Sequence, residues 1–212
     1  MEPRVPTREE MLAALERRQG VDAVRKLQAA TVAVCGLGGL GSNIAISLAR
    51  AGVGKLILID FDCVDVTNLH RQQYKACQVG LPKPEALLAN LKEIAPYTEY
   101  ETHSEKVTAE NAAVLLAKAD VVCEAFDVAE AKAMLVNTML ESMPEKYLVA
   151  ASGMAGYGSG NEISTRKVTK CVYVCGDGKS DVNDGIGLIA PRVMLCAAHQ
   201  ALTAIRLILG QE

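Results

Sequence analysis

Residues 60–73 read DFDCVDVTNLHRQQ and stand directly behind the apolar run KLILI. A chain leaving a buried strand here places three carboxylates, an asparagine, an arginine and two glutamines in one short stretch, a composition that builds no core. Upstream, CGLGGLGSN supplies the pattern G-x-G-x-x-G at Gly36, Gly38 and Gly41. In such a loop the first glycine permits a tight turn and the second lets backbone approach a phosphate. The helix that follows offers unpaired N–H groups and a partial positive charge. Asp60 comes 24 positions after Gly36, at the end of the next apolar run, where a carboxylate accepts hydrogen bonds from ribose hydroxyls. These features suit any nucleotide, and a glycine-rich turn without a ligand is the plainer alternative.

The polar loop discriminates between nucleotides. In an NAD enzyme the chemistry resides in the nicotinamide, and nothing calls for cations and amides directly after the ribose carboxylate. Asn68, Arg71 and Gln72, with Lys83 twelve residues beyond Arg71, instead suit a triphosphate, the arginine as a planar fork and the lysine as a point charge. Each charge alone would also suit a solvated surface. Asp62 and Asp65 carry less information, because acids in such loops often cap turns or face water. Asp127 follows the run ADVVCEA. A carboxylate there is placed either to hold Mg²⁺ against phosphates or to cap a helix starting at 128. The cofactors that this set calls for are ATP and Mg²⁺.

Such residues must be positioned by a scaffold, and hydrophobic periodicity supplies it. One or two short helices are expected over residues 8–28, broken near Gly20. TVAVC at 31–35 reads as a fully buried strand, and a helix is expected over 40–50, then the strand KLILID at 55–60. PEALLANLKEIA has helical period and stops at Pro96. A strand in YTEYETHS, a helix near 109–117, the strand ADVVCEA, a helix over 128–141 and the strand YLVAAS continue the alternation. The expected fold class is α/β, a Rossmann-like, doubly wound and mostly parallel sheet. Past residue 152 come a glycine-rich loop, strands around ISTRKV and CVYVC, the loop GDGKSDVNDGIG and an apolar helix over 190–209. These read as additions to the same sheet. The chain is therefore one domain: an N-terminal helical arm (1–29), a nucleotide-binding core (30–155) and C-terminal strands and helix (156–212).

A chain of 212 residues with net charge −3 and interspersed signs has no basic stripe to attract nucleic acid or an anionic membrane. The start, MEPRVPTREE, is charged where a signal peptide is apolar, and no apolar run is expected to reach the roughly 18 residues of a membrane span. The expected location is cytoplasmic. Seven cysteines, an odd number, are then expected as reduced thiols, most of them small core hydrophobes.

Taken together, GLGGLGSNIAISLARAGVGKLILIDFDCVDVTNLHRQQ, the following PK and a strand-end FD resemble the ThiF, MoeB and HesA family of sulfur-carrier adenylyltransferases, relatives of ubiquitin-activating enzymes. The match is specific over 30–84, looser to about 155 and weak beyond. The resemblance implies ATP-dependent adenylation of the C-terminal glycine carboxylate of a small ubiquitin-like carrier ending in Gly-Gly, with release of pyrophosphate. Carried onto this chain, it places Gly36, Gly38, Gly39, Gly41, Asp60 and Asp62 at the nucleotide, and Thr67, Asn68, Arg71, Gln72 and Lys83 around the phosphates. Asp127 is the magnesium aspartate. It also implies a homodimer in which an N-terminal arginine, here matched by Arg18 before Gln19, reaches the partner's ATP.

The departures are informative. Long family members carry two Cys-x-x-Cys pairs for zinc, whereas this chain has Cys171 and Cys175 with three residues between them, so no structural zinc is expected. A thiol role for Cys175 or Cys171 stays open against a packed core cysteine. The chain looks like the short form of ThiF, which implies a ThiS-like carrier in thiamine (thiazole) biosynthesis. A MoeB-like role toward a molybdopterin-synthase carrier, a non-catalytic nucleotide-binding module and an NAD-dependent oxidoreductase are the alternatives.

Overall fold

The computed structural model describes residues 4–185 and 187–211. Met1 to Pro3, Ile186 and Glu212, which belong to the expected arm, loop and tail, lie outside the described residues. The arm is two helices, α1 (Arg8–Gln19) and α2 (Val21–Ala29). Thr7 opens α1 through a capping box with Glu10, and Gly20, at φ 88°, separates the two. No residue of α1 is buried, whereas α2 inserts Val24 and Leu27 into the core.

Strand and helix then alternate as β1 (Thr31–Cys35), α3 (Gly39–Ala51), β2 (Lys55–Ile59), α4 (Lys83–Ile94), β3 (Glu99–His103), α5 (Ala109–Leu115), β4 (Val121–Glu124), α6 (Ala129–Ser142) and β5 (Tyr147–Ala151). The chain closes with β6 (Ser164–Lys167), β7 (Val172–Gly176) and α7 (Ala190–Leu209). The sheet order is β3-β2-β1-β4-β5-β7-β6. Every neighbouring pair is parallel except β6 with β7, so the doubly wound α/β sheet and its C-terminal additions are as expected from periodicity. β1 pairs with β2 on one side and β4 on the other. Successive crossovers therefore leave it in opposite directions, and a crevice opens at the carboxyl ends of β1 and β4.

Each face of the sheet carries its own core. On one side Leu40, Ile44 and Leu48 of α3, Leu87 and Leu91 of α4, and Cys196, Ala197, Ala201 and Ala204 of α7 pack on Val32, Val34, Leu56 and Leu58. On the other, Leu115 and Leu116 and then Leu135 and Met139 of α6 cover Ala33, Cys35, Ile57 and Ile59. Full burial of each such aliphatic side chain contributes about 1.5–3 kcal/mol. α3 ends at Gly52, whose left-handed conformation (φ 91°) lets its N–H return to the last turn.

One expectation needs correcting. α7, twenty residues long, is long and apolar enough to cross a membrane by composition alone. In this fold one face of α7 belongs to the core: Val193, Cys196, Ala197, Ala201 and Ala204 are buried, and buried Gln200 donates to the carbonyls of Glu124 (2.8 Å) and Val149 (3.0 Å), while Met194, Leu195 and Leu202 are exposed. The apolar run thus combines a face packed beside α3 and over β4, β5 and β7 with an apolar face that stays exposed.

Candidate nucleotide site

The crevice at the switch point is a cleft of about 870 Å³, within the size range of small-molecule and cofactor sites. Its floor is the glycine loop. Gly36 leaves β1 at φ 90°, with its N–H on the Ile59 carbonyl at 2.8 Å. A Cβ there would come within 2.8 Å of the Ala125 carbonyl oxygen. A Cβ at Gly41 would overlap the Gly36 carbonyl, so only glycine lets the first turn of α3 close on the end of β1. Between them the Leu37 peptide is held from both sides. Asp60 accepts its N–H at 2.6 Å, and buried Tyr74 donates its hydroxyl to its carbonyl at 2.7 Å.

Asp60 ends β2 as a buried carboxylate that also accepts the Asp62 N–H at 2.8 Å. Burial pushes its pKa up, and the neighbouring Lys83 ammonium, at 3.8 Å, opposes the rise. Lys83 begins α4 with its ammonium buried against Asp62 at 2.8 Å. Its backbone N–H is bonded to the Asp62 carbonyl at 2.9 Å. The cation is thus delivered to the cleft with both of its aspartates beside it.

The loop 60–73 supplies the facing wall. Half-buried Arg71 lays its aliphatic stem on the glycine loop, 3.3 Å from where a Cβ on Gly39 would stand. Its guanidinium lies partly desolvated, which lowers its pKa, and the charge of Asp127 across the cleft opposes that shift. Gln72 is buried beside Gly38, and its Oε1 has no hydrogen-bond partner among the described residues. Asn68 lines the same wall. Asp127 is exposed at the end of β4 and faces the cleft. The N-cap of α6 is Val128, with no side-chain cap bond, so Asp127 is not spent as a helix cap.

The structure thus brings Gly36, Gly38, Gly39, Asp60, Asp62, Asn68, Arg71, Gln72, Lys83 and Asp127 to one cleft, with Gly41 directly beneath. Thr67 is not among them. It is exposed and donates both its N–H and its hydroxyl to Asp65, the N-cap of the 3-10 turn Val66–Asn68. Arg18 lies exposed in the last turn of α1 and does not line the cleft of its own chain. Cys171 and Cys175 are buried. Burial raises the Cys175 thiol, while the hydroxyls of Thr165 (3.4 Å) and Thr203 (4.0 Å) flank it. Neither sulfur lines the cleft.

The cleft also has a lobe that sequence reasoning missed. Ile59, Phe61, Val107, Phe126 and Met134 make one side apolar, a surface that suits a flat base. Lys132 lines it as well, its ammonium on both oxygens of buried Glu124 at 3.0 and 3.1 Å. These residues come from the end of β2, the loops that follow β2, β3 and β4, and α6, with no local pattern to announce them.

A family model described as ThiF family matches residues 11–212. The chain belongs to the ThiF family. Among its relatives is an adenylyltransferase and sulfurtransferase MOCS3 of Anopheles gambiae, 33% identical over 206 residues, which covers 91% of this chain and 44% of that protein. A ubiquitin-like modifier-activating enzyme 5 of Branchiostoma floridae is 41% identical over 97 residues, covering 46% of this chain and 24% of that one. The chain therefore spans less than half the length of these curated relatives. The E. coli tRNA N6-threonylcarbamoyladenosine dehydratase, solved in complex with ATP, superposes with a TM-score of 0.87 at 23% identity, covering 98% of both chains. E. coli MccB with ATP gives a TM-score of 0.67 at 23% identity, covering 91% of this chain and 60% of MccB. At such identities the two structures establish the ThiF-family fold and nothing finer.

Proposed function

We propose that this ThiF-family chain is an adenylyltransferase that uses ATP to activate the C-terminal glycine carboxylate of a small ubiquitin-like sulfur carrier. The observation that carries the reading is the convergence of the glycine loop, Asp60, Lys83 and Arg71 with Asp127 opposite them at the switch point. The names of the MOCS3 and modifier-activating relatives support adenylation and a ubiquitin-like partner. A carboxylate oxygen attacks the α-phosphorus, an acyl–adenylate bond forms, and the bond to pyrophosphate breaks. The reaction brings two anions together, so catalysis is mostly positioning and electrostatic clamping. Asp60 receives the ribose, the glycine loop and the start of α3 receive the phosphates, and Arg71 and Lys83 neutralise charge that grows on them. Each preorganised cation contributes on the order of 3 kcal/mol. No side-chain nucleophile is needed for this step, in keeping with two buried thiols.

A divalent ion fits the donor set. Mg²⁺ typically takes one or two carboxylates together with phosphate oxygens, and Asp127 is exposed on the cleft for that purpose. When bound, the ion supplies charge neutralisation at the phosphates. Asp127 would hold it, and Arg71 would add a second positive charge at the phosphates without touching the ion.

On the same reading the molecule is a homodimer, with Arg18 of each α1 completing the partner's site, and the pathway is activation of a ThiS-like carrier in thiamine (thiazole) biosynthesis. Two assays test this. Calorimetric titration should show MgATP binding more tightly than NAD. Pyrophosphate exchange should require a carrier ending in Gly-Gly and vanish in Asp127→Ala without loss of folding. Tighter NAD binding would overturn the nucleotide assignment, and exchange supported only by a molybdopterin-synthase carrier would reassign the pathway.

A further inference from the structure

Arg71 and Gln72 sit on a segment, residues 71–73, that belongs to no helix or strand. Something else must fix two side chains on which the cleft depends. Two buried polar residues in the first turns of α3 do so. Ser42 donates its hydroxyl to the Gly38 carbonyl at 2.6 Å and accepts the Gln73 N–H at 3.1 Å. Asn43 donates from Nδ2 to the Gly39 carbonyl at 2.6 Å and to the Arg71 carbonyl at 3.3 Å. Its Oδ1 accepts from Gln73 Nε2 at 2.7 Å. Serine and asparagine are indifferent helix formers because their side chains compete for backbone groups. Here that competition ties the glycine loop to the 71–73 segment. From the other side, Asn90 of α4 donates to the Gln73 carbonyl at 2.9 Å and is paired with the Gln78 amide. The three elements that carry the glycine loop, Arg71 and Lys83 are thus joined by one buried polar network.

We infer that Asn43, aided by Ser42 and Gln73, is a positioning residue for adenylyl transfer: it sets the Arg71 guanidinium over the glycine loop and so determines how tightly the triphosphate is held. This rests on the reading of the cleft as an ATP site. Removing the Asn43 amide leaves the Arg71 carbonyl and the Gln73 side chain without that partner, and the arginine stem loses its fixed seat on Gly39; the Gly39 carbonyl loses the same donor but stays within the backbone ladder of α3. The base and ribose contacts, made by other elements, are untouched.

The test is a double-mutant cycle read by calorimetric titration with MgATP and, in parallel, AMP. Asn43→Ala should weaken MgATP on the order of tenfold and AMP by less than about twofold. In an Arg71→Ala background the same substitution should change MgATP affinity by less than about twofold, because its effect passes through the arginine. Equal losses for both nucleotides, or an undiminished loss in the Arg71→Ala background, would reduce Asn43 to helix packing and overturn the inference. Should Asn43→Ala not fold, Gln73→Ala, at a half-buried position, must show the same pattern. A wild-type chain that binds no MgATP sinks the site assignment and the inference together. Wild-type binding that both variants leave unchanged sinks the inference alone.

Discussion

Lys83 shows how a single cation is kept ready in a buried place. Its ammonium is 7% exposed, and both carboxylates near it, Asp60 and Asp62, lie at and just after the end of β2. Lys83→Met should cost about 3 kcal/mol of stability, because Asp60 is left buried without its counter-charge, and should also weaken MgATP. Asp62→Asn removes only a half-exposed partner and should cost less than about 1 kcal/mol. Chemical denaturation of the two variants decides the matter, and equal stabilities would show that Lys83 is not a structural counter-ion. Asp177 is the opposite case. Burial pushes its pKa up, but the N–H groups of Ser180 and Lys179, the Ser180 hydroxyl and Arg192 together outweigh burial and hold it well below the usual carboxylate range. A depressed folded value means that the folded state binds fewer protons than the unfolded one. The stability contributed is complete above the unfolded value, near 3.9, and is lost as pH falls toward the folded one. Thermal melts below about pH 4 should fall more steeply with acid in wild type than in Asp177→Asn; parallel slopes would refute this role.

At the scale of elements, the β1–glycine loop–α3 unit depends on backbone contact that side chains would prevent. Gly41→Ala forces α3 away from β1, and overpacking of this kind costs on the order of 3 kcal/mol. Because the displaced helix N-terminus is also the expected phosphate seat, MgATP binding should be lost even where the protein stays folded at low temperature. Retained affinity in a folded Gly41→Ala protein would show that the loop does not hold the phosphates. This unit was legible in the sequence for a physical reason: the strand, the turn and the helix start are specified by contiguous residues, as is the buried acid at the next strand end. Thr67 departs from what the family resemblance implied because its near neighbour Asp65 captures both of its donors, a local competition that a motif does not encode. The network of Asn43 with Gln73, 30 residues apart, and of Gln200 with Glu124, 76 residues apart, was not legible. Nothing local in the chain records which distant carbonyl an amide will find. The same holds for the apolar lobe of the cleft.

At the scale of the whole molecule, the proposed homodimer can be tested through Arg18. Arg18 is an exposed cation at the end of a helix that buries nothing of its own, which suits a group that acts on a neighbour. An isologous dimer would carry two equal sites. Mixing inactive Arg18→Ala with inactive Asp127→Ala should then restore activity, since a heterodimer has one site with both groups intact and one with neither. With free subunit exchange, recovery should approach roughly a quarter of wild type. Mixing that recovers nothing despite demonstrated exchange would remove Arg18 from the site and leave the nucleotide assignment standing. A last consequence follows from α7. This helix covers α3 and the strands β4, β5 and β7, yet it comes from residues 190–209. On the ribosome, where domains form as the chain emerges, β1 to β5 are made before α7, and the flank of α3 that α7 covers is bare until then. Until residues 190–209 emerge, that flank is therefore exposed apolar surface, and cooperative collapse of this sheet is expected to await α7.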